Sequence, residues 1–165
     1  LHGTGNIPVR RVLKELGFEH VYVVPEQELP DPDFTTLEYP NPEDPKAFTL
    51  ALKLAKEVDA DIVLATDPDA DRLGVYVRDD KTGEYHVLTG NMSGILICQY
   101  ILEQRKEKGT LPENGAIVST IVTTNMAKEL AKRYNLKHIE TLTGFKYIGE
   151  KIKEYEKIKE NYGKK

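Results

Sequence analysis

Short runs of β-branched and aliphatic residues alternate along the chain with stretches whose apolar positions recur at three- and four-residue steps. That alternation predicts an α/β fold. Ile7, Val9, Val12, Leu13 and Leu16 predict a helix over 5–17, with Pro8 suited to its first turn and Gly17 to its end. A short strand is expected over 20–25 (HVYVVP), then an irregular loop over 26–45, where Pro30, Pro32, Pro40, Pro42 and Pro45 oppose regular structure. Helix returns over 46–58, carrying Phe48, Ala51, Leu54, Ala55 and Val58 on one side. The run DIVLAT at 61–66 is too short for a helix and reads as a buried strand. Strands at 73–77 and 85–88 flank a turn at Asp79-Asp80-Lys81-Thr82-Gly83.

The alternation restarts after Thr89-Gly90-Asn91. It predicts a helix over 92–106, a strand over 116–122, a helix over 125–134, a strand over 137–142 and a long helix over 145–162. Ile148, Ile152, Tyr155, Ile158 and Tyr162 form the apolar stripe of the last helix. The expected architecture is therefore two consecutive three-layer α/β/α units with mixed sheets, 1–89 and 90–165. The second, with only two clear strands, looks truncated.

Charge and composition narrow the function classes. In 165 residues, 27 acidic side chains against 23 basic ones give a net charge of −4, so no overall cationic field would hold a nucleic acid. No apolar run is long enough to span a bilayer. One cysteine, Cys98, forbids an intramolecular disulfide and fits a reducing, cytoplasmic compartment. The start, Leu1-His2-Gly3-Thr4-Gly5, lacks both an initiator Met and a signal-peptide pattern, which suggests a piece of a longer or processed protein. The Lys/Glu-rich run 151–165 reads as a solvated amphipathic helix without further function.

The informative stretch is Ala65-Thr66-Asp67-Pro68-Asp69-Ala70-Asp71-Arg72-Leu73-Gly74. Three carboxylates at alternate positions follow directly on an apolar strand, and ligands of open α/β sheets gather at the carboxyl ends of strands. Converging carboxylates repel unless a cation or shared protons relieve them, and an all-oxygen set suits a hard cation such as Mg²⁺. Arg72 beside them would favour a bound phosphate. The bare pattern also suits a surface turn built on Asx chemistry. An EF-hand is excluded, since its sixth and twelfth positions hold Arg72 and Arg78 in place of Gly and Glu.

Other motifs carry less. Gly3-Thr4-Gly5-Asn6-Ile7-Pro8 is an imperfect dinucleotide turn, its third glycine replaced by Pro8, and reads best as the entry to a helix. His2, His20, His86 and His138 have no ligand-like spacing, although His2 beside the glycine turn is the one to watch. Cys98 on an apolar helix face reads as a buried small hydrophobe, and no nucleophile elbow is present. Thr141-Leu142-Thr143-Gly144-Phe145-Lys146-Tyr147 joins the last strand to the last helix, and Lys146 in that first turn opposes the helix dipole unless an anion is near.

Taken together, His2-Gly3-Thr4-Gly5, Asn41-Pro42-Glu43, Thr66-Asp67-Pro68-Asp69-Ala70-Asp71-Arg72-Leu73-Gly74, Leu88-Thr89-Gly90-Asn91 and Thr143-Gly144-Phe145-Lys146-Tyr147-Ile148 resemble the phosphoglucomutase/phosphomannomutase (α-D-phosphohexomutase) family. The Leu-Thr-Gly-Asn segment and Asp-Pro-Asp look most like its bacterial phosphoglucomutase and phosphopentomutase-like branch. The resemblance implies a four-domain enzyme that moves a phosphoryl group between C1 and C6 of a hexose through a phosphoserine and a bisphosphorylated intermediate. It implies Mg²⁺ on Asp67, Asp69 and Asp71, Arg72 beside the reacting groups, and a sugar-facing loop at Thr143, Gly144, Phe145 and Lys146. No phosphoserine loop, fourth domain or opening strand of the second domain is found in the chain, so a fragment inactive by itself is expected, its partners being the remaining domains and a sugar phosphate. A non-catalytic metal- or phosphosugar-binding module on the same scaffold is the alternative, and a nicotinamide-dependent domain rests only on the imperfect glycine turn.

Overall fold

The computed structural model describes residues 1–162, with side chains through Ile158. Its helices are α1 (Asn6–Glu15), α2 (Pro25–Glu28), α3 (Thr49–Val58), α4 (Gly90–Glu107), α5 (Met126–Arg133) and α6 (Phe145–Tyr162). Its strands are β1 (Ile62–Thr66), β2 (Leu73–Arg78), β3 (Tyr85–Leu88), β4 (Ala116–Thr120) and β5 (Lys137–Thr141). The chain folds as two compact units, Leu1–Ser93 and Gly94–Lys165.

In the first unit β1, β2 and β3 form an antiparallel sheet in that order. Ile62 faces Val77 at one end of the β1–β2 pair and Thr66 faces Leu73 at the other, so residues 67–72 form the tip of a hairpin. The expected second turn is present: Asp79 N–H donates to Glu84 O at 2.8 Å, and Gly83 sits at φ +73°. Val63 and Ala65 point from β1 into a small core with Ala47, Phe48, Ala55 and Tyr76. Phe48 is wholly buried and lies against the Tyr76 ring, 4.6 Å between centroids. Tyr85 donates its hydroxyl to Ala60 O at 2.5 Å, close to the α3 terminus, where Asp59 takes the left-handed conformation that ends the helix.

The second unit has a two-stranded parallel sheet, β4 beside β5, with Ala116 opposite Lys137 and Thr120 opposite Thr141. Leu102 of α4 and Leu130 and Tyr134 at α5 form its core, against which Cys98, Leu111, Ile117 and Leu136 pack.

Several expectations change at this level. Residues 20–24 form no strand and belong to no sheet among the described residues. Each sheet consequently runs in a single sense, the first antiparallel and the second parallel. The 26–45 loop begins with the short helix α2, because Pro25 sets the first helical φ and has no amide to satisfy. A 3₁₀ turn over Pro45–Phe48, capped by the Asp44 carboxylate on Lys46 N–H, precedes α3. β4 stops at Thr120, where the chain turns: Ile121 N–H still reaches Thr141 O at 2.9 Å, but Thr123 N–H folds back to Thr120 O at 2.9 Å, and Ile121 and Val122 are exposed. Cys98 is half-buried rather than buried, and desolvation still pushes its thiol up. Ile152, Tyr155 and Ile158 of the α6 stripe are exposed, while Tyr162 lies outside the residues whose side chains are described. Among the described residues no helix is long and apolar enough to cross a membrane.

Candidate functional site

The hairpin tip at 67–72 is built from its first residue. Asp67 follows β1 directly and is almost fully buried, 1 % exposed. A carboxylate there must be satisfied within the protein. Arg72, five residues on, meets it twice: its backbone N–H donates to Oδ1 at 3.0 Å and its Nε to Oδ2 at 2.7 Å. Ala70 N–H returns to Asp67 O at 3.1 Å, which holds Ala70 at φ +60° and folds the loop over its own start. This turn brings one carboxylate oxygen from each of Asp67, Asp69 and Asp71 within 4.8 Å of the others. Asp69 and Asp71 are exposed.

Two neighbouring segments fix the loop from outside. Thr4 donates both its N–H (2.8 Å) and its hydroxyl (3.1 Å) to Pro68 O. Gly3 lies so close to the Pro68 backbone that a Cβ would collide with it. Asn41 receives Arg72 Nη1 at 3.2 Å and the Glu43 N–H at 3.0 Å on the same Oδ1. The Asn41-Pro42-Glu43 segment thereby orients the guanidinium that balances Asp67.

Electrostatics agree with this geometry. Burial alone would raise the Asp67 carboxyl, but the Arg72 backbone and side-chain hydrogen bonds outweigh it and bring it down to about 2. Asp71 moves the other way, raised by the hydrogen bond it shares with Asp67 and then by the Asp69 and Asp67 charges. The cluster thus holds more negative charge than Arg72 neutralises. An octahedral Mg²⁺ with ligands at about 2.1 Å separates its oxygens by about 3–4.2 Å, so the observed spread needs only a slight contraction. The donor set, three carboxylates without nitrogen or sulfur, suits a hard cation.

The remaining candidates divide. Thr143, Gly144, Phe145 and Lys146 form the exposed turn from β5 into α6, with Gly144 at φ +127° and Phe145 77 % exposed. Lys146 Nζ stands 4.8 Å from the Tyr147 ring centroid. His2 is buried and structural: its ring nitrogens meet Leu29 O at 3.1 Å and Thr36 Oγ1 at 2.6 Å, pinning the proline-rich loop. Thr4 and Asn41 were not distinguishable as supports of the loop from spacing alone, since their partners lie 64 and 31 residues away.

Comparison with known proteins decides the family. Residues 1–83 match the phosphoglucomutase/phosphomannomutase α/β/α domain II model, and residues 89–163 match that of domain III. The chain belongs to the phosphoglucomutase/phosphomannomutase family. The acidic hairpin tip falls within the domain II match and the Thr143 turn within the domain III match. A Haemophilus influenzae protein named "Probable phosphomannomutase" is 40% identical over 149 residues, 90% of this chain and 30% of its own length. A phosphoglucomutase of Staphylococcus epidermidis is 41% identical over 153 residues, 93% of this chain and 27% of its own length. The chain therefore spans less than a third of either relative. A crystal structure of a phosphoglucomutase/phosphomannomutase family protein from Burkholderia thailandensis shares the fold, with a TM-score of 0.70 over 93% of this chain and 30% of that one, at 23% identity.

Proposed function

We propose that this chain is the metal-loop portion of a Mg²⁺-dependent phosphohexomutase that interconverts hexose 1-phosphate and hexose 6-phosphate, glucose phosphates being the preferred pair. The observation that carries this reading is the Asp67–Asp69–Asp71 cluster, folded on a hairpin tip and balanced only in part by Arg72. In the reaction, a phosphoryl group leaves a serine phosphate for the free hydroxyl of the bound hexose monophosphate. The resulting bisphosphate, turned end for end, returns its other phosphoryl group to the serine. A cation on the three aspartates supplies charge neutralisation for the transferring phosphoryl group.

The chain's own residues do the positioning. Asp67, Asp69 and Asp71 present the oxygens. Arg72, held by Asp67 and Asn41, offers a planar guanidinium beside the carboxylates that would pair with phosphate oxygens. Thr143, Gly144, Phe145 and Lys146 hold the sugar phosphate: the Gly144 turn exposes backbone amides at the start of α6, and Lys146 adds a cation in a first turn that already favours anions. The phosphoserine lies outside this chain, as do the remaining partners of the reaction, so the 165 residues alone do not turn over. The substrate class and the single cysteine suit the cytoplasm.

The test is a coupled assay of the longer protein that contains this chain on glucose, mannose and pentose 1-phosphates, with the isolated chain in parallel. Turnover by the longer protein, fastest on glucose 1-phosphate, and none by the isolated chain is the expected result. Inactivity of the longer protein on all three would turn the reading toward a binding module.

A further inference from the structure

Gly115 stands at the entry to β4, where space is short. A Cβ there would meet Leu136 Cδ2 at 3.0 Å, Pro112 Cγ at 3.1 Å and Pro112 O at 3.2 Å. Leu136 has little room to give, because it packs against the core of Leu102, Leu130 and Tyr134. Gly115 O also accepts Lys137 N–H at 3.0 Å, next to the first β4–β5 pair, Ala116 opposite Lys137. Packing therefore favours glycine at 115. The residue before it is Asn114, exposed in a surface turn. Gly115 N–H closes that turn on Pro112 O at 3.2 Å, near the long limit for such a bond. A glycine after an asparagine leaves its backbone nitrogen open to approach by the asparagine Cγ, since no side chain shields it. Other asparagines are less open. Asn6 and Asn91 lie in α1 and α4, where the helical backbone holds Cγ away from the next nitrogen. Asn41 precedes Pro42, which has no N–H to lose. Asn125 is fixed at the start of α5, its carbonyl accepting the Lys128 and Glu129 N–H groups, and Asn135 precedes the branched Leu136.

We infer that Asn114 is a site of spontaneous covalent modification, a surface amide that ages to aspartate and isoaspartate through a cyclic imide. The turn opens locally, freeing Gly115 N–H from Pro112 O. Gly115 N gives its proton to hydroxide and attacks Asn114 Cγ. The new C–N bond closes the imide, and the side-chain nitrogen leaves as ammonia. Water then opens the ring at either carbonyl. Cleavage of the new Cγ–N bond gives aspartate, and cleavage of the original peptide bond gives isoaspartate. Only water and hydroxide are consumed. Either product places a negative charge next to Glu113 where a neutral amide stood. Isoaspartate also lengthens the backbone by one carbon immediately before the confined Gly115, at the entry to the parallel sheet. This inference does not rest on the proposed mutase chemistry, since no residue of the acidic loop takes part.

The test is ageing of the chain at mildly alkaline pH, with and without urea. Peptide mass mapping reads the loss of each amide, and methyl transfer by an isoaspartate-specific carboxyl methyltransferase reads the isoaspartate. The expected result without urea is that the Asn114 peptide converts at least tenfold faster than any peptide holding another asparagine, with isoaspartate as the larger product. Asn114→Gln, a change at an exposed side chain, should abolish methyl acceptance by that peptide. Conversion at Asn114 no faster than elsewhere, conversion that appears only in urea, or aspartate formed without isoaspartate would overturn the inference.

Discussion

Arg72 and Asp67 clasp each other at both ends of one loop, with Nε on Oδ2 at 2.7 Å and the Arg72 N–H on Oδ1 at 3.0 Å. The acid is buried and the guanidinium half-exposed, so the pair costs little desolvation on the arginine side while satisfying a carboxylate that could not otherwise stay charged. Arg72→Ala leaves that charge short of a partner and is expected to destabilise the first unit by about 1–3 kcal/mol. Urea unfolding followed by circular dichroism measures this. Saturating Mg²⁺ should recover more stability in the variant than in the parent chain, since the cation takes over the neutralisation.

The three aspartates should separate by burial. Asp69 is exposed and contributes to the cluster rather than to the fold. Asp69→Asn is expected to shift unfolding by less than about 0.5 kcal/mol and to weaken Mg²⁺ binding tenfold or more by titration calorimetry. Asp67→Asn should lose both, because the same side chain organises the turn and offers a ligand oxygen.

Gly3 tests whether the loop is held from outside. A methyl group there would run into the Pro68 backbone, which cannot swing away without dragging Thr4 and the loop with it. Gly3→Ala should cost about 1–3 kcal/mol of stability and lower Mg²⁺ affinity together with it. Gly83→Ala, at an open turn with positive φ, should cost stability without touching the metal.

How much could be read in advance follows from range. The strands β1 and β2, the acidic loop between them and the helices α3 to α6 are local patterns, and the sequence places them within a few residues, whereas the antiparallel pairing that makes the loop a hairpin tip is seen only in the fold. The failures are non-local. Residues 20–24 have a strand's composition, but a strand exists only when a neighbour pairs with it, and among the described residues none does. Ile121 and Val122 continue an apolar run, yet a tight turn that returns Thr123 N–H to Thr120 O ends the strand. At the site, Asp67, Asp69 and Asp71 were visible as a spacing, whereas the contrast between a buried and two exposed carboxylates appears only in three dimensions. Asn41 and Thr4 act across loops and leave no periodic signal.

The central claim is that the cluster at 67–71 holds the cation of a phosphohexomutase. Its most direct test is the coupled mutase rate of the longer protein on glucose 1-phosphate, with Mg²⁺ and with chelator, beside its Asp69→Asn variant. The account predicts Mg²⁺-dependent turnover that falls at least a hundredfold in the variant while its unfolding midpoint is unchanged. Turnover that survives chelation, or a variant as active as the parent, would contradict it.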